Sequence, residues 1–176
     1  GGLVTEAGPG ASPAAYGIVG EVLRRRAVEL MERAYAPYSG FKVGAAIQCT
    51  DGTLVAGCNV ENASYGLTVC AERNAVAAAV NAGKRSIDAV AVVSRADEPT
   101  PPCGGCRQVL NEFGPDMAVT VESGNGQRAE WRLTEILPHA FGPANLGKCR
   151  SAAGSWPSSG GRTPASWCVA PRSAWC

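Results

Sequence analysis

Cys70-Ala71-Glu72 and, some thirty residues on, Pro102-Cys103-Gly104-Gly105-Cys106 place three thiols and one carboxylate in an order suited to hydrolytic chemistry. Three thiolates can hold a tetrahedral Zn²⁺ and leave its fourth position to water. A carboxylate beside such a site, without being a ligand, can move protons as acid and base. Together these parts can put water onto a ring carbon of a nucleobase and expel ammonia. Cys70, Cys103 and Cys106 are thus the candidate zinc ligands, and Glu72 is the candidate proton carrier.

A thiol binds zinc as the thiolate, which its ordinary pKa of about 8.5 makes costly near neutrality. Helix N-termini lower that cost, because their unpaired N–H groups and the macrodipole favour negative charge. Both arms of the motif fall at predicted helix starts, and Cys103 and Cys106, three apart, can share one helix face. Three thiolates leave a Zn²⁺ site with excess negative charge. Arg73, three residues after Cys70, is placed to offset it, and Arg107 and Gln108 are further candidates for contacts to the sulfurs. Glu72 is two residues from Cys70, off that face, and would reach past the metal. Alternatives stand beside this reading. A Cys-x-x-Cys pair alone is as often redox-active or structural, and a structural zinc normally takes four protein ligands. Cys49 and Cys58 are available as a fourth but sit on predicted strands. His139 is the only histidine, so a histidine-ligated zinc is disfavoured.

The elements that must position these residues follow from periodicity. Apolar residues recur at helical spacing over Ile18–Ala36, a segment that ends before Pro37. Phe41–Cys49 and Leu54–Val60 are short β-rich runs around the hairpin signal Asp51-Gly52. Thr68 can cap a helix over Val69–Ala82. Ile87–Ser94 is almost wholly apolar, as a buried central strand would be. A second short helix is predicted over Gly104–Phe113, then strands over Met117–Glu122 and Gln127–Leu133, and a helical turn over Thr134–Leu137. The link between the last two strands is too short for a parallel crossover, so they should be antiparallel. The order predicts an α/β domain with a mixed sheet of about five strands. Along the Leu54–Val60 strand and just beyond it, Asn59 and Glu61 alternate and share a face.

The chain has 176 residues, 45% of them apolar and 18% charged, which suits one globular domain with some surplus. We divide it into a flexible N-terminal segment (1–15), a catalytic domain (16–143) and a low-complexity, disordered tail (144–176) to which no function is assigned. No apolar run is long enough to cross a bilayer, and the first residues lack the pattern of a signal peptide. The expected location is therefore cytoplasmic, where eight cysteines point to metal or catalysis rather than disulfides. The net charge of +1 divides unevenly: up to Pro143 there are 12 basic and 15 acidic residues, a balance of −3, and four basic residues follow. A mildly acidic body is a poor surface for a phosphate backbone, so the expected target is a free nucleoside and not a nucleic acid.

Four linked segments carry a resemblance. Tyr38-Ser39-Gly40-Phe41-Lys42-Val43-Gly44, Asn59-Val60-Glu61-Asn62-Ala63-Ser64-Tyr65, Thr68-Val69-Cys70-Ala71-Glu72-Arg73 and Pro102-Cys103-Gly104-Gly105-Cys106-Arg107-Gln108 resemble the small zinc-dependent cytidine deaminases, in order and with fitting spacing from Ile18 to Phe141. The resemblance implies a three-layer α/β/α fold and hydrolysis of cytidine and 2′-deoxycytidine to the uridines, as in pyrimidine salvage. It also implies that Cys70, Cys103 and Cys106 hold zinc and that Glu72 moves protons between water, ring N3 and the departing amine. Phe41 would pack on the pyrimidine, Asn59 and Glu61 would bind the ribose hydroxyls, and the backbone of Ala71 would address the base carbonyl. A homotetramer is implied, with Tyr65 and Phe141 serving sites shared between copies. Two other functions remain open on the residues alone: deamination of another aminopyrimidine nucleoside, or a noncatalytic zinc-binding module in which Glu72 is dispensable.

Overall fold

The computed structural model describes residues 13–146. The strand Ile87–Ser94 is nearly continuous in apolar residues because both of its faces are covered. Its neighbours, numbered along the chain, complete a five-stranded sheet: β1 (Val43–Cys49), β2 (Leu54–Cys58), β3 (Ile87–Ser94), β4 (Ala118–Glu122) and β5 (Arg128–Arg132), in the order β2-β1-β3-β4-β5. Only β3 and β4 run parallel; β1 pairs antiparallel with both β2 and β3, and β5 pairs antiparallel with β4. The mixed sheet and the antiparallel last pair are as the sequence predicts.

The period of two along β3 divides the core into two layers. Ala89, Ala91 and Val93 face a helix, α1 (Pro13–Glu32), through its buried Leu23, Ala27 and Met31. Val90 and Val92 face the opposite layer, formed by α2 (Ala71–Asn81), α3 (Gly104–Asn111) and a short turn of helix, α4 (Leu133–Ile136). The result is three layers, helix on sheet on helices. Each buried Leu or Met contributes roughly 1.5–3 kcal/mol of hydrophobic stabilisation. The small residues do something else: they let backbones meet. A Cβ at Gly44 of β1 would lie 1.9 Å from the carbonyl oxygen of Ala27, and one at Gly57 of β2 would lie 2.6 Å from the Ala75 nitrogen. At these two points α1 and α2 rest directly on the sheet backbone.

Several boundaries differ from expectation, each for a local reason. The first helix runs Pro13–Glu32 rather than Ile18–Ala36. It stops early because the Tyr35 N–H is taken by the Asn59 carbonyl, and the Tyr35 carbonyl accepts the Glu61 N–H. Its start places residues 13–15 in helix, within the segment read as flexible; residues 1–12, and the tail from 147 onward, lie outside the described residues. The helix expected over Val69–Ala82 starts at Ala71, because Val69 exchanges backbone hydrogen bonds with Val60. Thr68 does not cap it; its hydroxyl accepts the Asn62 N–H instead. Asn59 and Glu61 lie beyond the end of β2, with Val60 held in isolated bridges to Tyr35 and Val69.

Ion pairs tie α1 to β4 of the sheet. Arg24 donates to Glu21 at 2.7 Å and to Glu122 of β4 at 3.3 Å. Hydrogen bonds from Arg24 and then Arg25 hold the Glu21 carboxyl down at about 2 against an ordinary 4.5. A carboxyl depressed on folding adds stability that is fully present above pH 4.5 and disappears as the pH falls through about 2. Glu21→Gln should therefore lower stability at neutral pH, change little below about pH 2, and so flatten the acid limb between them, as measured by urea midpoints across pH. An unchanged acid limb would mean the pair persists equally in the unfolded chain.

Candidate active site

The structure brings the two arms of the cysteine motif together at two helix N-termini. Cys70 is the residue preceding α2, with φ −68° and ψ 156°, and Cys103 holds the same place before α3, with φ −63° and ψ 162°. Each is extended, and each carbonyl accepts the first helical hydrogen bond, from Asn74 at 3.1 Å and Arg107 at 2.9 Å. Cys106 lies one turn into α3 and is buried. The ligand atoms of Cys70, Cys103 and Cys106 all fall within 4.8 Å of one another. Among the described residues no further cysteine, histidine or carboxylate joins this cluster; Cys49 and Cys58 stay on their strands.

The electrostatics of the cluster favour an anion. A hydrogen bond from Cys106 draws the Cys70 thiol down to about 6, against burial and the nearby Glu72 carboxylate, with smaller help from Cys103 and the charge of Arg73. The Cys106 thiol is pushed up, first by serving Cys70 as donor and then by burial. Three sulfurs gathered this closely form a soft donor set that fits Zn²⁺. Glu72, in the first turn of α2, is only 5% exposed, and burial raises its carboxyl pKa.

A cavity of about 250 Å³ opens beside the cluster, lined by Phe41, Asn59, Glu61, Cys70, Ala71, Glu72 and Cys103 among others. It lies at the C-terminal end of β3, where α/β sheets commonly bind ligands. A larger groove of about 590 Å³ beside α1, β3 and β4 contains none of these residues, so volume alone does not mark the chemistry. Phe41 is 41% exposed and forms cavity wall, not core. Asn59 is buried; its Oδ1 accepts the Val43 N–H and its Nδ2 donates to the Phe41 carbonyl, both at 2.8 Å.

Other candidates stand elsewhere. Tyr65 and Phe141 are 76% and 58% exposed and do not line this chain's cavity. Tyr65 meets Tyr38 edge-on, with ring centroids 6.4 Å apart. Arg73 is exposed on α2 and reaches the thiols only through its charge. Arg107 donates to the carbonyls of Pro102 and Ile136, at 2.6 and 2.7 Å, and Gln108 to that of Phe141 at 2.7 Å. These two residues therefore pin the C-terminal segment to α3 instead of contacting sulfur. Thr68, expected from the sequence only as a helix cap, and Ser94 and Thr100, for which the sequence suggests no role, also line the cavity. Ser94 was findable: it follows Val92 by two on a strand, and so shares its face.

Comparison with known proteins agrees with this geometry. The family model for the cytidine and deoxycytidylate deaminase zinc-binding region matches residues 20–122. A cytidine deaminase of Halalkalibacterium halodurans is 47% identical over 122 residues, covering 69% of this chain and 92% of the relative. One from Mycobacterium tuberculosis is 43% identical over 125 residues, covering 71% and 91%. The crystal structure of cytidine deaminase from Burkholderia pseudomallei aligns with a TM-score of 0.67 at 47% identity, covering 69% of this chain and 98% of that one.

Proposed function

The chain belongs to the cytidine and deoxycytidylate deaminase family, and on that premise we propose that it hydrolyses cytidine, and 2′-deoxycytidine, to the corresponding uridine and ammonia. The observation that carries this reading is the buried carboxylate of Glu72 facing a nucleoside-sized cavity beside three clustered thiols. Zinc held by Cys70, Cys103 and Cys106 would supply the activation of water at neutral pH.

The remaining work falls to the chain's own groups. Glu72, with its pKa raised by burial, is suited to accept a proton from the attacking water and give it to ring N3, then to pass a second proton, from the new hydroxyl, to the departing amine. The Ala71 N–H, at the positive end of α2, would address the base carbonyl. Phe41 offers its ring to the pyrimidine. Asn59 keeps one amide N–H beyond its two backbone bonds, and Glu61 keeps acceptor capacity, for the ribose hydroxyls. The sugar-reading pair argues for nucleosides, and the acidic balance of residues 1–143 argues against nucleic acid. The role is that of a pyrimidine-salvage enzyme of the cytoplasm.

The active unit is a homotetramer. Exposed Tyr35, Tyr38, Val60, Tyr65 and Leu67, on the segments around the cavity, support burial between copies, and Phe141 would complete a neighbour's site. Zinc-loaded protein should convert cytidine to uridine, followed by the change in absorbance, and should sediment as four chains. Absence of turnover would overturn the reaction; a single-chain mass with full activity would overturn the assembly.

A further inference from the structure

We propose that Ser39 is a positioning residue, transmitting the hold of the Glu61 carboxylate to the base-packing ring of Phe41. The inference rests on the nucleoside reading of the cavity given above. Glu61 accepts the backbone N–H groups of Tyr38 and Ser39, at 2.9 and 3.2 Å, and also the Ser39 hydroxyl. The Ser39 Oγ in turn accepts the Phe41 N–H at 2.9 Å. From the other side, Asn59 donates to the Phe41 carbonyl. Both peptide groups of Phe41 are thus held by the two side chains that meet the sugar, one directly and one through Ser39.

A serine hydroxyl has one proton and two lone pairs. Here the proton goes to Glu61 and a lone pair takes the Phe41 N–H, so the relay has a direction that only a hydroxyl can provide. Glu61 spends three contacts on this loop and keeps room for a sugar hydroxyl, since a carboxylate offers about four acceptor positions. Its pKa is lowered, chiefly by the Ser39 hydroxyl, which keeps it an acceptor. One carboxylate thereby links the part of the site that reads the sugar to the ring that orders the base. Ser39 itself is exposed and outside both helix layers, so the fold does not depend on it.

Ser39→Ala removes one hydrogen bond from each end of the relay. The KM for cytidine should rise roughly three- to tenfold. The kcat should stay within about twofold, because an interaction shared by ground and transition states moves KM alone. The melting temperature should not change, and Ser39→Thr, which keeps the hydroxyl, should restore KM. In a Phe41→Ala background the Ser39→Ala change should add nothing, since Ser39 acts through that ring. An unchanged KM in Ser39→Ala, or an equal penalty with and without Phe41, would overturn the relay. If Phe41→Ala and Glu61→Gln each leave KM unaltered, the nucleoside reading itself fails and the relay with it. A raised KM in those two variants alongside a neutral Ser39→Ala defeats the relay only.

Discussion

Glu72→Gln should keep its zinc and lose turnover. The carboxyl is no member of the thiol cluster, so the metal loses no donor. The amide is nearly isosteric, and Glu72 lies buried in the first turn of α2, where an uncharged side chain of the same shape is readily held. What disappears is the capacity to accept and release a proton at the ring nitrogen and the leaving amine. General acid–base groups contribute on the order of 10²–10⁴-fold, and a single residue serving several transfers belongs at the upper end. We expect kcat to fall by about 10³-fold or more, with zinc stoichiometry by elemental analysis equal to that of the unmodified protein. Loss of metal from this variant would show that Glu72 helps hold it.

Cys103→Ala should lose both. A catalytic zinc has three protein donors, and removal of one leaves a two-sulfur site with no spare ligand close by among the described residues. Changing residues that merely support a metal ligand costs roughly 10–100-fold in affinity, so losing a ligand costs more. The fold should survive, because Cys103 is exposed and its side chain makes no capping hydrogen bond to α3. The expected result is a chain with unchanged circular dichroism, little bound zinc after dialysis against a weak chelator, and no deamination. Retained zinc with retained activity would remove Cys103 from the site.

The two variants also separate enzyme from zinc-binding module. In a noncatalytic module Glu72→Gln would be silent. The reading that makes it decisive rests on Cys70-Ala71-Glu72 taken together with Pro102-Cys103-Gly104-Gly105-Cys106, because three ligands and a proton carrier in that order are visible before any packing detail. β3 is equally plain, since six of its eight residues are apolar and buried on its two faces. Where expectation slipped, a long-range contact had replaced a local one. Thr68 has the chemistry of a cap, but Val69 is drawn into pairing with Val60, and the helix has to wait for Cys70. Tyr35 has helical neighbours, yet its N–H and carbonyl are taken by Asn59 and Glu61. Arg107 sits beside two thiols in sequence, but a guanidinium five residues from Pro102 finds its carbonyl before it finds a sulfur. None of these partners is visible within a window of a few residues.

The bare contact of Gly57 with the first turn of α2 sets how the site responds to change elsewhere. Where a strand touches a helix through side chains, their spacing shifts whenever those side chains are swapped. Here the spacing is fixed by backbone on backbone, as hard a stop as a protein contains. Enlarging or trimming the apolar residues farther along α2, such as Val76, should tilt or loosen its distal end while Cys70 and Glu72 keep their depth against the sheet. The chain can therefore drift in its core, or be engineered for stability there, without losing the placement of its reactive groups, provided position 57 stays empty.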